Sequence, residues 1–144
     1  EDNLDDIEIT KRALKQAKVI NNLYIVRDGQ EAIDFLFHQG DYGDASCAPR
    51  PGLILLDINM PRLNGIEVLI RLKKDEALKH IPVIMLTVSK RDEDIVRSYD
   101  NGCNSFIQKP VDFNKFVDVI KELALYWGLL NIPCPEVDIE FKCE

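Results

Sequence analysis

Three acids, a hydroxyl and an ammonium stand at comparable positions along this chain. Glu1 and Asp2 open it, Asp57 ends the apolar run 53–56, Thr87 ends the run from Val83, and Lys109 follows residues 105–108. Apolar runs of four or five residues bounded by turn signals read as strands buried on both faces, as in a parallel sheet covered by helices. In open parallel α/β sheets ligands bind beyond the carboxyl ends of the strands, so all five residues are expected at one edge. Three carboxylates within reach of each other repel, and a hard divalent cation that takes oxygen ligands is the natural neutraliser. Mg2+ fits, because it takes one or two carboxylates and keeps waters for a phosphate ligand. A hydroxyl and an ammonium beside it suit a transferred phosphoryl group, whose charge lies on its outer oxygens. Taken singly, Thr87 is explained as a strand residue and Lys109 as a surface charge; the combination points to chemistry.

The elements that must position these residues alternate along the chain. Leu4, Ile7, Leu14 and Ala17 recur at helical spacing, so a helix is expected over about residues 5–18. Residues 23–26 read as a short strand. Asp28 is placed to cap a second helix, with Glu31 three residues on as in a capping box; its buried face is expected to be Ala32, Ile33, Leu36 and Phe37. Residues 39–52, rich in Gly, Asp, Ser and Pro, read as a long surface loop. After the strand at 53–57 comes a turn marked by Pro61 and Asn64-Gly65. Val68, Leu69 and Leu72 then mark a third helix ending near Asp75. Residues 83–87 form the next strand. Ser89 with Asp92 resembles a helix start, Ile95, Val96 and Tyr99 its inner face, and Gly102 its stop. Residues 105–108 form a last strand, broken by Lys109-Pro110. The final helix, about 113–130, carries Phe116, Val117, Ile120, Leu123, Ala124 and Trp127 on one stripe.

Strands separated by helices imply right-handed parallel crossovers and a doubly wound α/β sheet. One domain, residues 1–130, is expected, with a C-terminal tail at 131–144. Such a domain needs a strand before its first helix, yet the chain starts at the acids that should follow one. Omission of that strand is the preferred reading; the alternating Val137, Ile139 and Phe141 of the tail are the other candidate for the slot.

Composition narrows the partners. The 144 residues are 46% hydrophobic and 30% charged with a net charge of −7, which argues against a nucleic-acid backbone as the main partner. No stretch approaches the roughly 20 apolar residues of a membrane span, and no signal peptide opens the chain, so a cytoplasmic protein is expected. Cys47, Cys103, Cys134 and Cys143 are scattered without a C-x-x-C pair, so free thiols are expected. Two histidines, His38 and His80, make a histidine-based metal site or triad a poor reading.

Glu1-Asp2, Asp57 in Leu-Leu-Asp-Ile-Asn-Met-Pro-x-x-x-Gly, Thr87 in Met-Leu-Thr and Lys109 in Lys-Pro together resemble the receiver domain of two-component response regulators. The resemblance spans essentially residues 1–127. The long loop before the central strand and the tail are similar to single-domain regulators paired with bacterial phytochromes. This resemblance implies a five-stranded parallel sheet of flavodoxin-like order 2-1-3-4-5, with the first strand absent from this chain. It implies Asp57 as phosphoacceptor for a phosphohistidine on a sensor histidine kinase. Asp2 and Asp57 would bind Mg2+ directly, Glu1 through water, and Asn59 through its backbone carbonyl. Thr87 and Lys109 would hold phosphoryl oxygens. Lys109-Pro110 would be a cis peptide, against the general trans preference of X–Pro bonds. Phe106 stands where the family often has a switch Tyr; it could swing inward with Thr87 but offers no hydroxyl. Val88 is bulkier than the small residues common at its position and would narrow access. The side chains of Asn59 and Ser89 flank the path of attacking water and would tune phosphoryl lifetime.

On this reading the protein is no enzyme toward external substrates; it catalyses only its own phosphoryl acceptance and dephosphorylation. With only a short tail beyond the receiver, its signal is expected to leave through a protein surface. Val119, Tyr126, Leu129 and Leu130 form a second apolar set on the last helix. They suggest a homodimer through the fourth helix, fifth strand and last helix, unless the tail covers them. A haloacid-dehalogenase-type phosphatase needs a second acid two positions after the nucleophile, where Asn59 stands. A flavodoxin-like FMN protein needs a hydroxyl- and glycine-rich phosphate loop, where Glu1 and Asp2 would repel the phosphate. A degenerate receiver serving as a phosphorylation-independent binding module is the remaining alternative, because fold alone does not establish function.

Overall fold

Backbone pairing in the computed structural model, which describes residues 1–17, 23–44, 46–87, 91–108 and 112–125, joins three parallel strands into a sheet. They are β1 (Ile54–Leu56), β2 (Val83–Thr87) and β3 (Ser105–Gln108), in that spatial order. The described helices are α1 (Leu4–Gln16), α2 (Gly29–Phe37), α3 (Gly65–Lys74), α4 (Asp92–Asp100) and α5 (Phe113–Leu125). Successive strand residues point to opposite faces. Ile54, Leu56, Val83, Met85 and Phe106 therefore join a core with α2 and α3. Leu55, Leu86 and Ile107 join a second core with Ala13 of α1 and Phe116, Val117 and Ile120 of α5. Helices on both faces explain why the strands read as unbroken apolar runs rather than alternating ones.

Capping residues set the helix starts. Asn3 accepts from the amides of Asp5 and Asp6 at 2.9 and 3.1 Å to begin α1. Asn64 and Glu67 form a reciprocal capping box at α3, with bonds of 3.0 and 3.2 Å. The box expected at α2 is displaced by one residue. Asp28 accepts from the Glu31 amide at 2.8 Å, but the Glu31 carboxylate takes the amide of Arg27 at 2.9 Å.

The structure corrects several expectations. Residues 23–26 belong to no described strand, because no described strand lies beside them to complete a ladder. Leu4 is 64% exposed, whereas Ile7 is buried and Leu14 and Ala17 pack against the second core as expected, with Ala13 added to the inward stripe of α1. On α2, Phe35 is buried and Phe37 only partly so. On α4, Val96 and Tyr99 are 57% and 50% exposed, and Ser98 is the buried residue. The Ser98 hydroxyl donates to the Asp94 carbonyl at 2.7 Å, so its polarity is satisfied within the helix and it can face inward. Arg91 precedes α4 without a side-chain cap. Ser89, Val88, Lys109-Pro110, Trp127 and the tail lie outside the described residues, as do Cys134 and Cys143; Cys47 and Cys103 are free thiols. No described helix is long and apolar enough to cross a membrane.

The loop after α2 is held by Tyr42. Its ring packs edge-on against Phe35 at 5.2 Å, and its hydroxyl donates to the Glu31 carboxylate at 2.7 Å. That bond, helped by partial burial, pushes the phenol up to about 12 from its ordinary 10.0. An acid that holds its proton more tightly when folded contributes stability fully below its unfolded pKa and loses it as pH climbs to the folded value. Tyr42→Phe should therefore lower the unfolding free energy by about 1–2 kcal/mol at neutral pH. In urea titrations the gap between the two proteins should close as pH rises from about 10 to about 12.

Candidate metal and phosphoryl site

Asp57 follows β1 directly and is 7% exposed. Its Oδ1 accepts the amide of Asn59 at 3.0 Å, which fixes the carboxylate against the start of the next loop. That loop, residues 58–64, folds back on itself. The Gly65 amide donates to the Ile58 carbonyl at 2.9 Å, and Ile58 and Met60 are buried beneath it. Two glycines make the fold-back possible. A Cβ on Gly65 would stand 2.0 Å from the Asp57 carbonyl oxygen, and one on Gly29 would stand 1.9 Å from that of Leu63. Neither position has space for any side chain. Arg62 adopts a left-handed φ of 65° at the loop's crest, and its guanidinium reaches Asp28 at 2.7 Å. That contact holds the Asp28 carboxyl below the usual carboxylate range.

The acidic pair reaches the same edge from the other side. The Asn3 amide donates to Glu1 Oε1 at 3.1 Å, so the residue that caps α1 also holds Glu1. The amino group of Glu1 donates to the Val26 carbonyl at 3.2 Å and contacts Met60 Sδ at 3.5 Å. As a result, one carboxylate oxygen from each of Glu1, Asp2 and Asp57 lies within 4.8 Å of the others. Asp57 is buried, Glu1 half-buried and Asp2 exposed, so the cluster opens to solvent on the Asp2 side. Three hard anionic oxygens at this spacing fit Mg2+ or Mn2+ as a donor set.

Register places the remaining candidates. Leu56 pairs with Met85, so Asp57 lies level with Leu86, and Thr87 lies one residue further along the same edge. Thr87 is beside Gln108, and Lys109 follows Gln108 in the chain. The side chains of Thr87 and Lys109 lie outside the description, so the structure brings together the three acids and the backbone of Thr87. Phe106 pairs with Met85 and is half-buried against the core on the α2 and α3 side. Asn59 is exposed. Sequence reasoning marks Asn64-Gly65 as a turn but misses the contact between Gly65 and the carbonyl of Asp57. It also misses Gly29, Met60 and the Asp28–Arg62 pair. The one available signal is the glycine eight residues after the acid within the recognised motif; the other contacts join residues distant in sequence.

The response regulator receiver domain model matches residues 1–121. The response regulator Rcp1 of a Synechocystis species is 35% identical over 127 residues, covering 88% of this chain and 84% of that protein. The phosphorylated cyanobacterial phytochrome response regulator RcpA superposes with a TM-score of 0.83 at 37% identity, over 94% of each chain. The Mn2+-bound form of Rcp1 superposes with a TM-score of 0.81 at 33% identity, over 94% of this chain and 95% of that one.

Substitution at Gly65, the glycine packed against the carbonyl of Asp57, should be costly. Gly65→Ala must push the 58–64 loop off the Asp57 carbonyl, with an expected loss of about 3 kcal/mol or more in equilibrium urea unfolding. A loss below about 1 kcal/mol would mean that the loop yields without strain.

Proposed function

The chain belongs to the response regulator receiver domain family, and from that premise we propose that it accepts a phosphoryl group on Asp57 from a sensor histidine kinase. Receiver domains are signalling modules of two-component systems, and this family binds Mg2+ or Mn2+ at an acidic site. The observation that carries the proposal is the gathering of Glu1, Asp2 and Asp57 within 4.8 Å at the end of a buried parallel strand.

In the proposed reaction the P–N bond of a phosphohistidine breaks, and its electron pair leaves with the imidazole. An Asp57 oxygen forms the new P–O bond of an acyl phosphate. Asp2 and Asp57 would hold Mg2+ directly, Glu1 through water and Asn59 through its backbone carbonyl. When bound, the cation would supply charge neutralisation for the acids and the phosphoryl oxygens. Thr87 and Lys109 hold phosphoryl oxygens, and Phe106 responds as Thr87 is drawn toward the phosphoryl group. The sheet is read as part of a five-stranded order, 2-1-3-4-5, in which residues 23–26 take the outer position and β1, β2 and β3 the last three. Residues 1–130 form the receiver and 131–144 its tail. The likeness to phytochrome response regulators supports a phytochrome-type kinase as the donor; the proposed site of action is the cytoplasm.

Output through self-association gains support from α4. Val96 and Tyr99, 57% and 50% exposed and three residues apart on a helix beside β3, stand side by side on one face, and neighbouring exposed apolar residues suit a contact better than single ones. The proposed homodimer uses α4, β3 and α5. Nothing observed favours the phosphorylation-independent binding module.

Labelling from acetyl phosphate tests the chemistry. Incorporation should require Mg2+ and should fall at least a hundredfold in Asp57→Asn, while Asp2→Asn should weaken Mg2+ binding by at least tenfold. Labelling that survives in Asp57→Asn would place the acceptor elsewhere. Sedimentation velocity tests the surface: Tyr99→Lys should raise the dimer dissociation constant by at least tenfold. A chain that stays monomeric at high micromolar concentration, phosphorylated or not, removes the dimer.

A further inference from the structure

The 58–64 loop borders Asp57 and turns sharply at its crest. The Leu63 amide donates to the Pro61 carbonyl at 2.8 Å, a bond closed over the single residue Arg62, whose φ is 65°. A turn closed over one residue at positive φ is strained, and a side-chain-bearing residue stays there only where its neighbours impose it. Those neighbours come from the start of α2. The Gly29 amide donates to the Pro61 carbonyl at 3.4 Å, and the Arg62 guanidinium donates to Asp28 Oδ2 at 2.7 Å across 34 residues of sequence.

Asp28 is an ordered anchor. Its Oδ1 accepts the Glu31 amide at 2.8 Å as the cap of α2, which leaves Oδ2 to Arg62, and its side chain is 17% exposed. Glu31 and Asp34 of the same helix add negative charge that favours the guanidinium at this place. An ion pair between two mobile surface side chains contributes little, but here the helix start has already ordered one partner. The base of the loop meets the acid. The Asn59 amide donates to Asp57 Oδ1 at 3.0 Å, and the Gly65 amide closes on the Ile58 carbonyl at 2.9 Å. The loop is thus held by Asp57 at its base and by α2 at its crest.

We propose that Arg62 and Asp28 are a positioning pair: by pinning the crest of the 58–64 loop to α2, they keep the Asn59 amide on Asp57 and so support divalent-cation binding at the acids without touching the cation. The consequence for the cation rests on the metal reading proposed above; the pinning of the loop rests on geometry alone. Charge gives the assignment a signature. Removing the positive charge of Arg62 would, through the field alone, favour a cation at the three acids, and removing the negative charge of Asp28 would disfavour it. Positioning instead requires that both changes weaken binding.

Calorimetric titration with Mg2+ and amide hydrogen exchange, both on the full chain, test it. Arg62→Gln and Asp28→Asn, the second of which keeps a capping oxygen for α2, should each weaken Mg2+ binding about fivefold. Each should also speed exchange at the Asn59 amide about fivefold and leave Met85, in the core, unchanged. The double variant should lose no more than either single one, because all three remove the same contact. Tighter Mg2+ binding in Arg62→Gln means that the residue acts through its charge, and unchanged binding in both variants means that the site does not depend on the pair; either result overturns the proposal. So does exchange at Asn59 that stays the same, or that rises no more than at Met85, since the pair then holds no loop or adds only to global stability. A wild-type chain that takes up no Mg2+ defeats the metal reading and with it the pair's support of cation binding, while exchange at Asn59 still decides whether the pair pins the loop.

Discussion

Like charge held at one sheet edge is the constraint on which this structure turns. Glu1, Asp2 and Asp57 present oxygens within 4.8 Å of each other, and Asp57 does so from a buried position. Repulsion between carboxylates grows as water is excluded, so a chain free to rearrange would separate them. It is prevented by contacts that carry no chemistry. Asn3 holds Glu1 while it caps α1, Asn59 fixes one oxygen of Asp57, and the 58–64 loop is locked by two glycines that leave no space for a Cβ. On the proposed reading a divalent cation would relieve the repulsion, and because the oxygens are already gathered, little ordering would accompany its binding.

How far this could be read in advance depended on whether the controlling interactions were local. The runs at 83–87 and 105–108 were legible as strands because each is an apolar stretch bounded by turn residues, and both are strands in the structure. The place of Asp57 in the acidic cluster was legible because a polar residue ending such a run lies at the carboxyl edge of a parallel sheet. The close contact between Gly65 and the Asp57 carbonyl was not, since it depends on how a loop returns through space. Residues 23–26 have strand composition, but whether they form a strand depends on what lies beside them. The inner face of α4 was misread for a third reason. Hydrophobic spacing favoured Val96 and Tyr99, while Ser98 satisfies its own hydroxyl within the helix and takes the buried position.

The same register that sets Asp57 at the sheet edge also connects it to the strand beside α4. Phe106 is paired with Met85, which is paired with Leu56, so these three residues form one row across the sheet immediately before Asp57. Met85 is fully buried, and a tightly packed residue passes displacement to its neighbours rather than absorbing it. Phe106 is the least buried member of the row, half-buried on β3 and packed against the core. On the proposed reading, a pull on Thr87 at the end of β2 acts on the strand next to Phe106, and α4 is the helix whose apolar residues stand exposed. The exposure of Val96 and Tyr99 is consistent with that reading. An output surface must be available to a partner, and burying Ser98 in their place leaves it so at the cost of one internally satisfied hydroxyl.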